Sequence, residues 1–246
     1  MIKEEIEKEC PGVVSCADII VLSVRDSIVM SGGPFYPIST GRRDSTRAFQ
    51  EKAEAEIPRP MSNVSEVLRL FSLRGFDERE TTALLGAHNI GHIGCQFLAP
   101  RFSEFSSSPD PSMDPSFFEE LRQKCISNAT SIPNRLVPIR TSRHLSHSSK
   151  LRGSATHSQE LISGEQSFSS FDGHYFRSLV AGKGILFSDQ QLMSFEKTVK
   201  IVQEYASDDT KFRLDFARAM LKLSNLGVLT GSQGQIRRNC SIPVNG

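Results

Sequence analysis

The chain has 246 residues, 38% of them hydrophobic, and a formal net charge of +1. That is enough apolar material for a sizeable core and too little positive charge for a dedicated nucleic-acid binder. The most apolar stretch, 13–30, is interrupted by Asp18, Arg25 and Asp26, so no segment reads as a membrane span.

The opening MIKEEIEKECPG lacks the apolar run of a signal peptide. Five cysteines, with Asn-x-Ser/Thr sequons at Asn63, Asn128 and Asn239, nevertheless point to an oxidising, extracellular setting. An odd cysteine number in a disulfide protein implies an absent partner, and the chain is expected to have lost its front end.

In chain order, residues 2–9 are charged and helix-prone, and Pro11-Gly12 breaks them. Ser15 caps a helix predicted from Cys16 to about Met30, with Ala17, Ile20, Val21, Val24 and Ile28 towards the core. Gly32-Gly33-Pro34 ends it. Residues 35–45 are an irregular loop, in which Arg42, Arg43 and Asp44 read as a local salt-bridged turn. Residues 51–56 are a solvated charged run. The IPRP segment at 57–60 is extended, because proline drives its predecessor out of the helical region. Ser62 is the predicted cap of the next helix, through Val64, Val67, Leu68 and Phe71 to Gly75.

The sequence DERETTALLGAHNIGHIGC, 77–95, is the stretch around which the chain is organised. Asp77 and Glu80 make a capping-box start. Leu84, Leu85 and His88 fall at helical spacing on one apolar face, and Gly91 and Gly94 mark the stop. Two readings of His88 are open on this pattern. One is a hydrogen-bonded core histidine. The other is an axial ligand to a metal, haem iron first, with its second nitrogen oriented by a carboxylate or carbonyl.

Asp114-Pro115 starts a helix through Phe117, Phe118 and Leu121 to Cys125. Residues 121–159 contain no acidic side chain, and 132–162 reads as an atypical basic loop, either disordered or not native coding sequence. His144 and His147 have metal-ligand spacing, but no apolar period supports a helix there. Phe171-Asp172 begins a helix with Tyr175, Phe176 and Leu179 inside, stopped by Gly182 and Gly184. Ser188-Asp189 caps a short helix, and Thr198–Ala206 forms another. Asp208 opens a strongly amphipathic one carrying Phe212, Phe216, Met220 and Leu223. The tail 229–240 is loop and turn. The expectation is a mainly α fold in one domain over 1–246.

Seven collinear segments then carry a resemblance: KECPGVVSCADIIVLSVRDS (8–27), GRRDS (41–45), IPRP (57–60), GAHNIGHIGC (86–95), FDGHYFRSL (171–179), GILFSDQQL (184–192) and LTGSQGQIRRNC (229–240). In wording and order they resemble the class III secretory haem peroxidases of plants. The likeness covers nearly the whole chain except about 132–162.

The resemblance implies the plant haem-peroxidase fold without its distal N-terminal helices, an incomplete domain truncated ahead of residue 1. It implies haem b and calcium as cofactors. His88 becomes the axial haem ligand and Asp189 the carboxylate partner of its second nitrogen. Asn89, Ser167, Ser170 and Asp172 become ligands of the proximal calcium. Asn89 stands where the family usually has Thr, and Gly164 where it usually has an Asp ligand, which should weaken that site. Pro58 resembles the proline lining the aromatic-substrate channel. Cys16 should pair with Cys240 and Cys95 with Cys125, leaving Cys10 unpaired. Each closure would stabilise by about 3–5 kcal/mol in the loop-entropy picture.

The implied reaction is the oxidation of small phenolic donors by hydrogen peroxide, by a secreted monomer of the cell wall or vacuole that uses neither nucleic acid nor membrane. The family's catalytic distal His and Arg have no counterpart here, since no RxxFH-like segment occurs in the sequence. The expected alternatives are therefore a peroxidase by descent and a non-catalytic haem-binding or structural remnant. An unrelated helical interaction protein is the third.

Overall fold

The computed structural model describes residues 2–103, 110–127, 130–131, 136–138 and 171–244. Among the described residues the protein is mainly α, as the periodicity predicted, with eleven α-helices and two short antiparallel ladders. The helices are α1 (Ile2–Glu9), α2 (Cys16–Met30), α3 (Gln50–Glu56), α4 (Val64–Ser72), α5 (Glu78–Leu85), α6 (Ala99–Ser103), α7 (Pro115–Cys125), α8 (His174–Val180), α9 (Phe187–Gln190), α10 (Glu196–Ser207) and α11 (Asp209–Ser224). Strand β1 (His92–Gly94) pairs with β4 (Leu136–Pro138), and β2 (Ile126–Ser127) with β3 (Thr130–Ser131).

Local chemistry explains several helix starts. Ser15 accepts from Asp18 N, and Asp208 accepts from Thr210 N and Lys211 N. Asp77 and Glu80 form a complete capping box. Asp114 Oδ1 accepts from Phe117 N at 2.9 Å, ahead of a proline that needs no donor in the first turn.

The larger core lies where α5, α8, α10 and α11 meet. Phe212 and Phe216 project from one face of α11 into Phe171, Phe176 and Tyr205, all of them at most 1% exposed. The Phe171 and Phe212 rings stack at 5.2 Å, and Phe176 meets Phe212 edge-on at 4.8 Å. Such pairs add about 0.5–1.5 kcal/mol beyond the area they bury. A second cluster gathers Leu98, Met113, Phe117, Leu121, Val137 and Ile185 around the Cys95–Cys125 disulfide. A further disulfide joins Cys16 to Cys240, and Cys10 is free and exposed.

Several expectations need correction. The predicted inner face of α2 is largely outside: Ile20 and Val24 are 60% and 38% exposed, while Cys16, Asp18 and Ile28 are buried. The apolar stripe exists, but only part of it is covered: Ile28 packs into the core, Ala17 and Val21 are half-buried, and Ile20 and Val24 stay exposed. The cap of α4 is Asn63, which accepts from Glu66 N; Ser62 Oγ instead accepts from Arg59 N. The charged run 51–56 is helical, though fully exposed.

Arg42 and Asp44 do not make a local turn. Arg42 pairs with Asp18 at 3.1 Å, and Asp44 accepts from Cys16 N and Ala17 N at the start of α2. Both are buried, and buried charges need partners wherever the fold supplies them. Within 132–162 only Leu136–Pro138 belongs to the described residues, and it is strand. Asn128, His144, His147, Gly164, Ser167 and Ser170 lie outside the described residues. Among the described residues no helix is long and apolar enough to cross a membrane.

Phe212 is the ring on which this core turns. Phe212→Ala should lower unfolding free energy by about 3–5 kcal/mol in urea titration. Leu214→Ala, on the exposed side of the same helix, should change it by less than about 0.5 kcal/mol.

Candidate functional site

His88 does not ride on α5. That helix ends at Leu85, and a 3₁₀ turn, Gly86–Asn89, carries the histidine. The helix thus stops before the predicted Gly91. Gly86 is the reason the turn can sit where it does. A Cβ at that position would stand 2.4 Å from the Phe212 ring and 2.9 Å from that of Phe176. The turn therefore lies directly on the aromatic core, and only glycine admits that approach. Gly91, at φ +109°, then swings the chain into β1.

Asp189 faces this turn from α9. It is inside the helix rather than at its cap, so its carboxylate is free to serve the tertiary structure. Its Oδ1 accepts from His88 Nδ1 at 2.8 Å and from Tyr175 OH at 2.9 Å. An ionised carboxylate only accepts, so the proton of neutral His88 is on Nδ1, and Nε2 is left with a lone pair. Among the described residues Nε2 has no hydrogen-bond partner. The Asp189 side chain is 3% exposed, whereas the His88 ring is 38% exposed: the pair is sealed on one side and open on the other.

The electrostatics follow. The charge of Asp189 raises His88 above the ordinary imidazole value, against the opposing effect of burial. Burial, and next the charge of Asp189, hold Tyr175 well above the ordinary phenol range, so it stays a neutral donor.

The segment carrying Asp189 is clamped. Gln190 Oε1 accepts from Gly184 N at 2.9 Å, and its Nε2 donates to Leu179 O at 3.0 Å. Arg101, 1% exposed, donates from Nη1 to Gly184 O at 2.6 Å and Ile185 O at 2.8 Å, and from Nε to Asp110 Oδ2 at 2.9 Å. Ser188 N donates to Pro60 O at 3.0 Å, tying the IPRP segment to the same place.

The open side of His88 is a cleft of about 360 Å³, lined by Pro60, His92, Ile93, Phe97, Ile185 and Leu186 among others. Largely apolar walls, with the Nε2 of His88 facing them, fit a flat apolar ligand whose metal takes a nitrogen donor. Pro58 is half-buried and does not line the cleft; Pro60 does.

Asn89 is 1% exposed. Its Nδ2 donates to Asp172 O at 2.9 Å, while its buried Oδ1 has no partner among the described residues, which suits a hard cation. Asp172 lies beside it, already accepting from His174 N at 2.9 Å and paired with Arg177 at 3.4 Å. Among the described residues no group of three or more His, Cys, Asp or Glu could hold a metal ion, and the candidate ligands Ser167 and Ser170 lie outside them.

Sequence reasoning missed Tyr175 as a site residue and treated it as core. The available signal was its hydroxyl: a tyrosine on a buried face needs a partner for it.

Because the folded-state His88 is raised, its pairing with Asp189 stabilises fully below the ordinary imidazole value. That contribution is lost as pH rises through the raised one. Urea midpoints of the ligand-free protein should show this excess over Asp189→Asn in mildly acidic buffer and its decline as the pH is raised.

The family model described as peroxidase matches residues 1–208. Relatives include "Putative Peroxidase 48" of Arabidopsis thaliana, 45% identical over 251 residues, 98% of this chain and 62% of that protein. "Peroxidase 57" of Arabidopsis thaliana is 37% identical over 97% of this chain and 67% of its own length. "Peroxidase P7" of Brassica rapa subsp. rapa is 38% identical over 97% of this chain and 71% of its own length. The chain thus spans about two thirds of the length of these relatives. With the family model matched over most of its residues, and the His88–Asp189 pair at the foot of an apolar cleft, the chain belongs to the peroxidase family.

Proposed function

We propose that the chain holds haem b through His88 and serves the peroxidase reaction, in which one hydrogen peroxide and two small phenolic donors yield two waters and two phenoxyl radicals. The observation that carries this reading is the 2.8 Å bond from His88 Nδ1 to buried Asp189, with the other ring nitrogen open to an apolar cleft. Bound there, haem supplies the electron-transfer chemistry that the side chains lack. Asp189 holds the Nδ1 proton and gives the imidazole imidazolate character, which favours oxidised iron. Ile93, Ile185 and Leu186 keep water from the buried side of the cleft.

Cleavage of peroxide also needs a base to move its proton and a cation for the separating charge. Among these 246 residues no RxxFH-like segment is present. A haem-binding protein of this family without turnover is the second reading, which the turnover assay below separates from the first.

Calcium is the second proposed cofactor, bound by Asn89 and Asp172 with Ser167 and Ser170. The Oδ1 of Asn89, without a partner among the described residues, supports it. Gly164 supplies no carboxylate, and Arg177 pairs with Asp172, so the binding is weak. Pro58 is assigned to the donor channel with Pro60, which reaches the cleft itself. The two disulfides support an oxidising compartment, the cell wall or vacuole, where the protein acts as a monomer.

Haemin titration should give a Soret band characteristic of histidine ligation, absent in His88→Ala. Guaiacol oxidation by the loaded protein then separates the readings: a rate no better than free haemin leaves haem binding without turnover. Adding calcium should raise the thermal midpoint of the wild-type protein by a few degrees and leave Asn89→Leu unmoved, as followed by circular dichroism.

A further inference from the structure

We propose that Tyr175 is a positioning residue that sets how strongly Asp189 acts on His88, an inference that rests on haem binding through His88. The geometry is a shared acceptor. Tyr175 OH and His88 Nδ1 both donate to the same oxygen, Asp189 Oδ1, at 2.9 and 2.8 Å. The two rings meet edge to face, with centroids 6.4 Å apart and planes at 77°.

Two donors on one carboxylate oxygen compete for the same electron density, so each weakens its acceptance of the other. In water the competition would be levelled by solvent. Here Tyr175 is 6% exposed and Asp189 2%, so the division stays between the protein groups. Charge drawn towards the phenol is withheld from the imidazole. The tyrosine hydroxyl therefore restrains the imidazolate character of His88, and with it the preference for ferric over ferrous iron.

A hydroxyl present only to fill the core predicts something different. Removing it would cost stability without moving the iron in a defined direction. Competition for Oδ1 requires that removing the phenol and removing the carboxylate charge act in opposite senses.

The test is a set of haem-loaded variants read by spectroelectrochemistry and by resonance Raman of the ferrous iron–histidine stretch. Tyr175→Phe should shift the ferric/ferrous midpoint to more negative values and raise the stretching frequency. Asp189→Asn should do the reverse on both. A Tyr175→Phe midpoint that stays in place, or moves with Asp189→Asn, overturns the proposal.

If Tyr175→Phe does not fold, site-specific 3,5-difluorotyrosine at 175 keeps the ring and makes a stronger donor. It should shift the midpoint to more positive values, and no shift overturns the proposal equally. Should the wild-type protein take up no haem through His88, the functional reading fails, and the ligand-free protein decides the shared acceptor. The His88 Nδ1–H proton resonance moves downfield in Tyr175→Phe if the hydroxyl competes; an unmoved resonance overturns it.

Discussion

One buried carboxylate organises the functional half of this protein. Asp189 is 2% exposed, and an uncompensated charge at such depth would cost several kcal/mol. The fold answers by bringing two donors to one oxygen, from positions 101 and 14 residues away in the chain. Satisfying Asp189 therefore fixes how the His88 turn, α8 and α9 sit relative to one another. The same constraint decides the histidine's tautomer and leaves its other nitrogen to the cleft.

Around that pair the supports form a graded series. Gln190 closes the Gly184–Gln190 loop on itself, and Arg101 holds the loop's carbonyls from below while Asp110 neutralises it. Arg101 in turn belongs to the segment packed round the Cys95–Cys125 disulfide. On the other side Gly86 seats the His88 turn against Phe212 and Phe176. The site thus lies between the aromatic core and the disulfide-centred cluster, each setting one wall.

The structure also shows where local rules suffice. The Asp77–Glu80 box, the Asp114-Pro115 start and the Asp208 cap involve residues within four positions of each other, so the chemistry that makes them is written side by side. Where competing groups lie one position apart, the same rules slip: Asn63 caps α4 and Ser62 stays outside it. The stripe on α2 slips for another reason. Periodicity reports that Ile20 and Val24 share a face with Ile28, and says nothing of what covers that face. Pro58 and Pro60 are equivalent as chain stiffeners; only the approach of α9 to Pro60 O distinguishes them.

By itself the sequence determined the helical content, the helix starts at Ser15, Asp77, Asp114 and Asp208 and the place of His88 close to a helix end, because these depend on spacing, caps and glycines within a few residues. It also carried, in the order of its motifs, the family likeness and hence Asp189 as the partner of His88. Tertiary structure alone decided that Tyr175 shares the same oxygen, that Arg42 answers Asp18, and that Asn89 keeps an acceptor without a donor among the described residues. Those outcomes are set by which buried polar groups meet after the core has closed, and hydrogen bonding across tens of residues leaves no period in the chain to read.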